Sequence, residues 1–282
     1  MDKVEDKVES VHLDKKLMIE SVKNSRVYKE NNFSWNKSEC KFANKFETKV
    51  RVIEGDCVDT AIFFSAKNSG KVAILNNASA SNPGGGYEKG SASQEEHLCR
   101  VSSLFHCLQN PYQICPPNFD YPLPDLGGVY SPNVFFFRSG ESKGYSFLPH
   151  PVLLNVVSVS GVRSPNVENK GGNFIVDNLS FNLLTKKVRV ILEMALQNGN
   201  ECIIISAFSC GVYGCPPSVV AQIFKNVLKT YEGCFESVVF SLIEDNNSFK
   251  DHNPEGNVLP FSKVFGVPVC VIDEEEGIIE KK

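Results

Sequence analysis

Short apolar segments alternate with longer amphipathic stretches along most of the chain. Three stretches carry apolar residues at helical spacing and predict helices over residues 94–108, 182–198 and 217–233. The apolar segments are nearly continuous, as in strands that are covered on both faces. They predict strands over residues 49–53, 72–76, 133–137, 152–159, 202–207 and 237–243. This alternation predicts an α/β fold with a three-layer α/β/α architecture.

The first 48 residues do not share this alternation. Residues 1–23 are rich in charge and have little apolar periodicity, which predicts a frayed helix or a flexible tail. Residues 24–48 contain the only tryptophan, Trp35, and predict an extension that packs on the domain. We therefore expect a tail over 1–23, an N-terminal extension over 24–48 and one catalytic domain over 49–282.

Composition narrows the class of protein. Of the 282 residues 42% are apolar and 22% charged, which suits a normal core. The net charge of −4 argues against non-specific binding to nucleic acids or to anionic membranes. No apolar segment has the length of a membrane span, and the N-terminus lacks the apolar region of a secretory signal. We expect a cytoplasmic protein, or a nuclear one in a eukaryote, that is monomeric.

The ten cysteines do not indicate a metal site. Most lie in apolar stretches, where cysteine behaves as a small hydrophobic residue. Cys99, Cys107 and Cys115 are eight residues apart, and this spacing matches no usual zinc pattern. We expect free thiols in a reducing compartment, with no metal and no cofactor.

The candidate chemistry lies in residues 83–96. Gly84, Gly85 and Gly86 permit positive φ and let backbone N–H groups approach a ligand closely. After a seven-residue spacer, Gln94, Glu95 and Glu96 stand at the start of a predicted helix. A loop that tolerates phosphate, beside two carboxylates, fits the hydrolysis of a phosphorylated sugar.

A purely structural interpretation of the same residues remains open. Ser93 and Glu96 have the spacing of a capping box, in which each side chain satisfies a backbone N–H group at a helix start. Glu95 and Glu96 also suit the positive end of a helix dipole. The three glycines and the apolar strand before them favour the catalytic interpretation.

Three blocks of sequence resemble the bacterial-type poly(ADP-ribose) glycohydrolases, a branch of the macrodomain superfamily. The first is Gly84-Gly85-Gly86 followed by Gln94-Glu95-Glu96, with similar flanks at 75–80 and 98–100. The second is residues 130–134 with 137–138, and the third, 206–216, resembles the family's diphosphate-binding loop. The similarity runs from about residue 50 to residue 245 and implies a macrodomain with a mixed central sheet.

The resemblance implies cleavage of the ribose–ribose O-glycosidic bond in poly(ADP-ribose), with release of ADP-ribose from the chain end. Adjacent helical residues point about 100° apart and cannot flank one bond as paired glycosidase carboxylates do. The resemblance makes Glu96 the general acid/base and Glu95 the residue that binds a ribose hydroxyl. It also implies ligand contacts by Asn76, Ala78, Asn82, Gly84, Gly85, Gly86, Gln94, Ser209, Cys210, Gly211, Val212, Tyr213 and Gly214.

The third block departs from the family pattern. Ser206 and Ser209 stand where the family has glycine, and Cys215 stands where it has asparagine. A serine Cβ narrows the φ range and hinders close backbone approach to a diphosphate. Tyr213 replaces the usual phenylalanine and is expected to contact the distal ribose. Two alternatives therefore stay open: a hydrolase of mono-ADP-ribosylated protein, and a macrodomain that binds ADP-ribose without cleaving it.

Overall fold

The computed structural model describes residues 15–67, 71–110, 113, 121–273 and 275–281. Within them a nine-stranded sheet has the order β1-β4-β5-β3-β8-β9-β2-β10-β11. Its strands are β1 (Arg26–Tyr28), β2 (Lys49–Glu54), β3 (Lys71–Ala78), β4 (Gly128–Arg138), β5 (Phe147–Ser160), β8 (Asn200–Ile205), β9 (Ser237–Leu242), β10 (Val269–Asp273) and β11 (Gly277–Glu280). A separate hairpin contains β6 (Val167–Lys170) and β7 (Asn173–Val176).

The central strands run in one direction. Neighbours from β5 through β3, β8, β9 and β2 to β10 are parallel, whereas β1, β4 and β11 pair antiparallel at the two sides of the sheet. The carboxyl ends of the central strands therefore share one edge, where ligands bind in open α/β sheets. The predicted mixed sheet is confirmed.

Helices cover both faces of the sheet. They are α1 (Lys15–Asn24), α2 (Cys57–Lys67), α3 (Gln94–Val101), α4 (Leu104–Gln109), α5 (Asn178–Gln197), α6 (Pro217–Leu228) and α7 (Val258–Phe265). Ala73 and Leu75 of β3 pack in one buried cluster with α5, α6 and α7. Val72 and Ile74 point to the opposite face and pack in a second cluster with α2, α3 and α4. The three-layer α/β/α architecture is confirmed, and none of the described helices is long and apolar enough to span a membrane.

The helix predicted over 94–108 is wrong as one unit, because it is broken into α3 and α4 at two serines. The hydroxyl of Ser102 donates to the carbonyl of Leu98 at 2.7 Å and accepts from the N–H of Leu104 at 3.1 Å. The side chain thus takes the place of backbone hydrogen bonds and ends α3. The hydroxyl of Ser103 accepts from the N–H of Phe135, which ties the break to β4 at 3.0 Å.

The N-terminal segment forms part of the fold from Lys15 onward. In α1, Ser21 and Val22 are buried, and the hydroxyl of Ser21 donates to the carbonyl of Pro132 in β4 at 2.7 Å. Residues 15–23 of the segment expected to be a frayed helix or a flexible tail therefore belong to a packed helix, and residues 1–14 lie outside the described residues. In the extension, β1 adds a strand beside β4, and the ring of Trp35 lies 4.4 Å from that of Tyr231.

The nine described cysteines are free thiols, while Cys115 lies outside the described residues. Cys99 and Cys107 are buried in the core cluster beneath α3 and α4. Among the described residues, no group of three or more histidine, cysteine, aspartate or glutamate side chains is arranged to bind a metal ion.

Candidate active site

Gln94 joins the start of α3 to the end of β3. Its Oε1 accepts from the N–H of Asn77 at 2.8 Å, and its Nε2 donates to the carbonyl of Leu75 at 2.7 Å. Both ends of the amide thus bond to the strand, as a neighbouring strand would. The structure places Gln94 as the residue that fixes the two following glutamates against the sheet edge.

Glu95 lies almost completely buried against the end of β3. Its Oε2 accepts from the N–H of Ser79 at 2.7 Å, and its Oε1 accepts from Nδ2 of Asn76 at 3.4 Å. Burial raises the pKa of Glu95 to about 7, and the negative charge of Glu96 adds to the rise, against the lowering effect of the hydrogen bonds. Glu95 is therefore a carboxyl group that gains or loses a proton near neutral pH.

Glu96 is held on the glycine loop. Its Oε1 accepts from the N–H of Gly86 at 2.7 Å, whereas its Oε2 is buried and has no hydrogen-bond partner among the described residues. The side chain of Ser93 makes no capping hydrogen bond, so the capping box that the sequence allowed is wrong. Glu96 therefore uses one oxygen to bind the loop, whereas the other oxygen stays without a partner among the described residues.

The three glycines make room for the site's own side chains. Gly84 and Gly85 have φ of +70° and +59°. A Cβ on Gly85 would lie 3.0 Å from Oε2 of Glu95 and still closer to Oε1 of Glu96. A Cβ on Gly84 would lie 2.7 Å from the ring of Phe105, and one on Gly86 would overlap the hydroxyl of Ser91. Side chains packed against the loop therefore leave no room for a Cβ at any of the three glycines, and at Gly85 these side chains are the two carboxylates.

Further bonds shape the glycine loop from both sides. Asn82 is an exposed residue, and its carbonyl accepts from the N–H of Gly85 at 3.0 Å, so the turn begins at Asn82. On the other side, Arg100 of α3 donates to the carbonyl of Ser91, and the N–H of Ser91 donates to the carbonyl of Gly86 at 3.1 Å. Arg100 thereby connects the helix that carries Glu96 to the loop that binds it.

The second loop, residues 206–216, follows β8 at the same edge of the sheet. The hydroxyl of Ser206 accepts from Nδ2 of Asn77 at 3.0 Å, which links the loop to the end of β3. Ser209 has φ of +64°, and its hydroxyl accepts from the N–H of Val162 at 3.0 Å. Both serines that depart from the family pattern therefore form specific bonds within the site.

Tyr213 is half-buried beside the segment that follows β5. Its carbonyl accepts from the N–H of Ser164 at 2.8 Å, and a Cβ on Gly161 would lie 2.8 Å from its ring. Burial raises the pKa of Tyr213, and the negative charges of Glu95 and Glu96 raise it further. The second loop thus brings the Tyr213 hydroxyl into the field of both carboxylates.

The remaining residues expected to contact ligand differ in accessibility. Asn76, Ala78 and Cys210 are completely buried beneath the cleft and support it from below. Burial raises the pKa of the Cys210 thiol well above its usual value, and the nearby Cys215 and Asp245 raise it further. The thiol therefore stays neutral. Val212 is 69% exposed at the tip of the second loop, between Gly211 and Gly214. Gly214 has φ of +75° and donates from its N–H to the carbonyl of Gly211 at 2.9 Å.

Several residues of the site were not identified from the sequence. Ser79 binds Glu95, and Gly161 supports Tyr213; both lie directly at the carboxyl ends of strands, which is the signal that could have found them. Burial raises the pKa of Tyr121, as does the charge of Glu95, which places this phenol near the site. No sequence pattern connects Tyr121 with Glu95.

A cavity of about 320 Å³ lies behind the glycine loop. It is lined by Tyr87, Cys99 and Phe105, of which Cys99 and Phe105 also pack beneath Gly84. Its other lining residues are Met18, Ser102, Ser103, His106, Phe135 and Phe137. Neither Glu95 nor Glu96 lines it.

The fold and the site together define the class of protein. A three-layer domain carries two loops at the carboxyl edge of its sheet, one holding a glutamate pair and the other an aromatic ring, in the manner of a macrodomain. Residues 3–139 match the family model of the microbial-type PARG, catalytic domain, where PARG denotes poly(ADP-ribose) glycohydrolase. The match confirms the resemblance inferred from the sequence over these residues, which contain the glycine loop and both glutamates.

Solved structures show the same fold. The poly(ADP-ribose) glycohydrolase of Deinococcus radiodurans in complex with ADP-ribose has a TM-score of 0.67 and 23% identity, over 91% of this chain and 99% of that one. The poly(ADP-ribose) glycohydrolase of Thermomonospora curvata bound to the inhibitor ADP-HPD has a TM-score of 0.66 and 22% identity, over 88% of each chain. A comparison with curated proteins found no match.

Proposed function

We propose that this protein is a poly(ADP-ribose) glycohydrolase that cleaves the ribose–ribose O-glycosidic bond and releases ADP-ribose from the chain end. The family match over residues 3–139 and the fold shared with structures that contain ADP-ribose or ADP-HPD support this substrate class. The observation that carries the proposal is Glu96, whose Oε1 is fixed by Gly86 and whose Oε2 is buried without a partner among the described residues.

Glu96 supplies the proton in this proposal. Breaking the glycosidic bond gives the ribose C1 oxocarbenium character and requires a proton on the departing oxygen. Oε2 of Glu96 delivers that proton, and the resulting carboxylate then takes a proton from the water that attacks C1. One carboxyl group thus acts first as an acid and then as a base, and it ends the cycle protonated.

Glu95 binds a ribose hydroxyl in this proposal and does not act as the acid. Its raised pKa alone would favour Glu95 as the acid, but both of its oxygens already accept hydrogen bonds from Ser79 and Asn76. This geometry favours Glu96 as the acid: the Glu95 oxygens can still accept from a ribose hydroxyl, but a proton donor needs an oxygen that is not already held by other groups, such as Oε2 of Glu96. A diphosphate bound beside the pair adds negative charge, which raises the pKa of Glu95 further.

Removal of single ADP-ribose units from protein is the second candidate function, and the structure of the second loop favours it. Ser206 and Ser209 are built into the second loop by hydrogen bonds to Asn77 and Val162, so the distal part of the cleft is shaped differently from a glycine-rich loop. A non-catalytic binding domain is less well supported, because it has no use for a buried carboxyl oxygen such as Oε2 of Glu96.

Product analysis on two substrates tests the proposal. The protein is incubated with purified poly(ADP-ribose) and, separately, with mono-ADP-ribosylated protein. We expect free ADP-ribose from the polymer, without intermediate oligomers at early times, and little release from the protein substrate. Oligomers at early times would contradict the exo mode. Release from the protein substrate alone would contradict the polymer activity, and no release from either would contradict hydrolysis.

A further inference from the structure

Arg163 stands at the rim of the cleft, between two residues that bond to the second loop. The N–H of Val162 donates to the hydroxyl of Ser209 at 3.0 Å, and the N–H of Ser164 donates to the carbonyl of Tyr213 at 2.8 Å. The backbone of Arg163 is therefore fixed beside this loop, while its side chain is exposed. The guanidinium forms no ion pair or hydrogen bond with a described residue.

The loops around this position are poor in positive charge. Residues 206–216 contain no charged residue at all. The segment after β9, residues 243–257, has four acidic residues and one lysine. One of these acids, Asp245, borders the second loop, because a Cβ on Gly211 would lie 3.9 Å from its Oδ2. With Glu95 and Glu96 also present, this edge would repel a diphosphate unless a cation offset the repulsion.

The charge of Arg163 acts inside the cleft as well as at its rim. Burial, Glu95 and Glu96 raise the pKa of Tyr213, whereas the positive charge of Arg163 lowers it. The guanidinium and the phenol therefore lie within electrostatic reach of one another. Tyr213 in turn lies in the field of Glu95 and Glu96, so Arg163 is placed on the second-loop side of the reaction site.

We propose that Arg163 binds a phosphate oxygen of the substrate at the outer side of the second loop. A guanidinium presents several N–H donors to phosphate in a planar array, which gives strong charge-assisted hydrogen bonds. This inference rests on the proposed function and assigns the cation that receives the substrate's diphosphate. The phosphate belongs either to the ADP-ribose unit held at Glu96 or to the neighbouring unit of the polymer.

Two measurements on Arg163→Ala distinguish these sources. If Arg163 binds the unit at Glu96, we expect the Kd for ADP-ribose in calorimetry to rise about tenfold at low salt, as for one charge-assisted hydrogen bond. If it binds the neighbouring unit, the Kd for ADP-ribose stays unchanged while the KM for polymer rises by a similar factor. Arg163→Lys should recover part of either loss, and 0.3 M salt should shrink the difference from wild type.

Lys71→Ala is the matched control. Lys71 is an exposed cation at the first residue of β3, so it lies roughly 23 Å from the carboxyl end of that strand. Its removal changes the net charge by the same amount without touching the cleft. The inference is overturned if Arg163→Ala has both constants within twofold of Lys71→Ala. It is equally overturned if Arg163→Glu, which reverses the charge, binds ADP-ribose and polymer as wild type does.

Failure of this inference can be told apart from failure of the proposed function. If wild type binds ADP-ribose but does not cleave the polymer, the proposed function fails, and the Kd values for ADP-ribose and for uncleaved polymer still decide the role of Arg163. If wild type cleaves the polymer and Arg163→Ala does so with unchanged constants, only the present inference fails. If wild type binds neither compound, both fail.

Discussion

The backbone N–H of Gly86 donates a hydrogen bond of 2.7 Å to Oε1 of Glu96, ten residues further along the chain. This bond fixes the carboxyl group on the glycine loop, whereas Oε2 is buried and has no hydrogen-bond partner among the described residues. The loop and the helix that carries Glu96 are therefore one unit, and a change in the loop should act on the carboxylate before it acts on ligand binding.

Gly85→Ala tests this relationship. The new Cβ would lie against Oε1 of Glu96 and 3.0 Å from Oε2 of Glu95, so we expect both carboxylates to shift and hydrolysis to fall at least tenfold. Gly90→Ala is the control, because Gly90 also has positive φ, +79°, but has nothing within 4 Å of a Cβ. Both variants should lose about 1–2 kcal/mol of stability through backbone strain. Equal activities of the two variants would contradict the packing argument.

Tyr213→Ala tests the second loop. We expect kcat on the polymer to fall about tenfold because the ring no longer positions the distal ribose, a role that affects rate more than affinity. Tyr213→Phe keeps the ring and should retain most of the turnover. Melting temperatures of both variants should stay near that of wild type. A destabilised Tyr213→Ala protein with normal specific activity would remove the ring from the site.

The pKa of Glu95 predicts how stability depends on pH. Its carboxyl ionises near pH 4.5 in the unfolded chain and near pH 7 in the folded protein, so the folded state binds more protons between these values. Stability should therefore fall as the pH rises through this range, by about 3 kcal/mol in total. Denaturant unfolding at pH 4.5 and pH 8 measures the change, and Glu95→Gln is expected to lack this part of it. An equal decline in both proteins would show that Glu95 is not the cause.

The sequence predicted six of the nine strands of the large sheet, because strands such as β3, β8 and β9 are buried on both faces and appear as apolar segments. It did not predict the outer strands β1, β10 and β11. Helix α2 was not predicted, although five of its residues are buried. The break between α3 and α4 was also missed, because apolar residues continue at helical spacing on both sides of Ser102. The helix ends there only because the Ser102 hydroxyl bonds to the backbone. Side-chain bonds to backbone are invisible to a periodicity argument.

The part of the site that could be predicted from the sequence is the motif over residues 84–96. Glu95, Glu96 and the three glycines lie together as expected, but the sequence did not show that Gly85 also makes room for the two carboxylates. Gln94 and Cys210 support the site by bonds to the strand and by burial. Tyr121 and Gly161 come from separate segments, and only the folded chain shows that they adjoin the site.

Glu96→Gln tests the central claim most directly, when hydrolysis and ADP-ribose binding are measured on the same sample. Glutamine keeps the size of the side chain and an oxygen that can accept from Gly86, but it cannot deliver a proton. The account predicts loss of at least a thousandfold in polymer turnover, of the order that general acid/base catalysis contributes, with a Kd for ADP-ribose within about threefold of wild type. Glu95→Gln should lose less turnover, or lose turnover and binding together. Turnover by Glu96→Gln close to that of wild type would contradict the assignment of Glu96 as the acid and base.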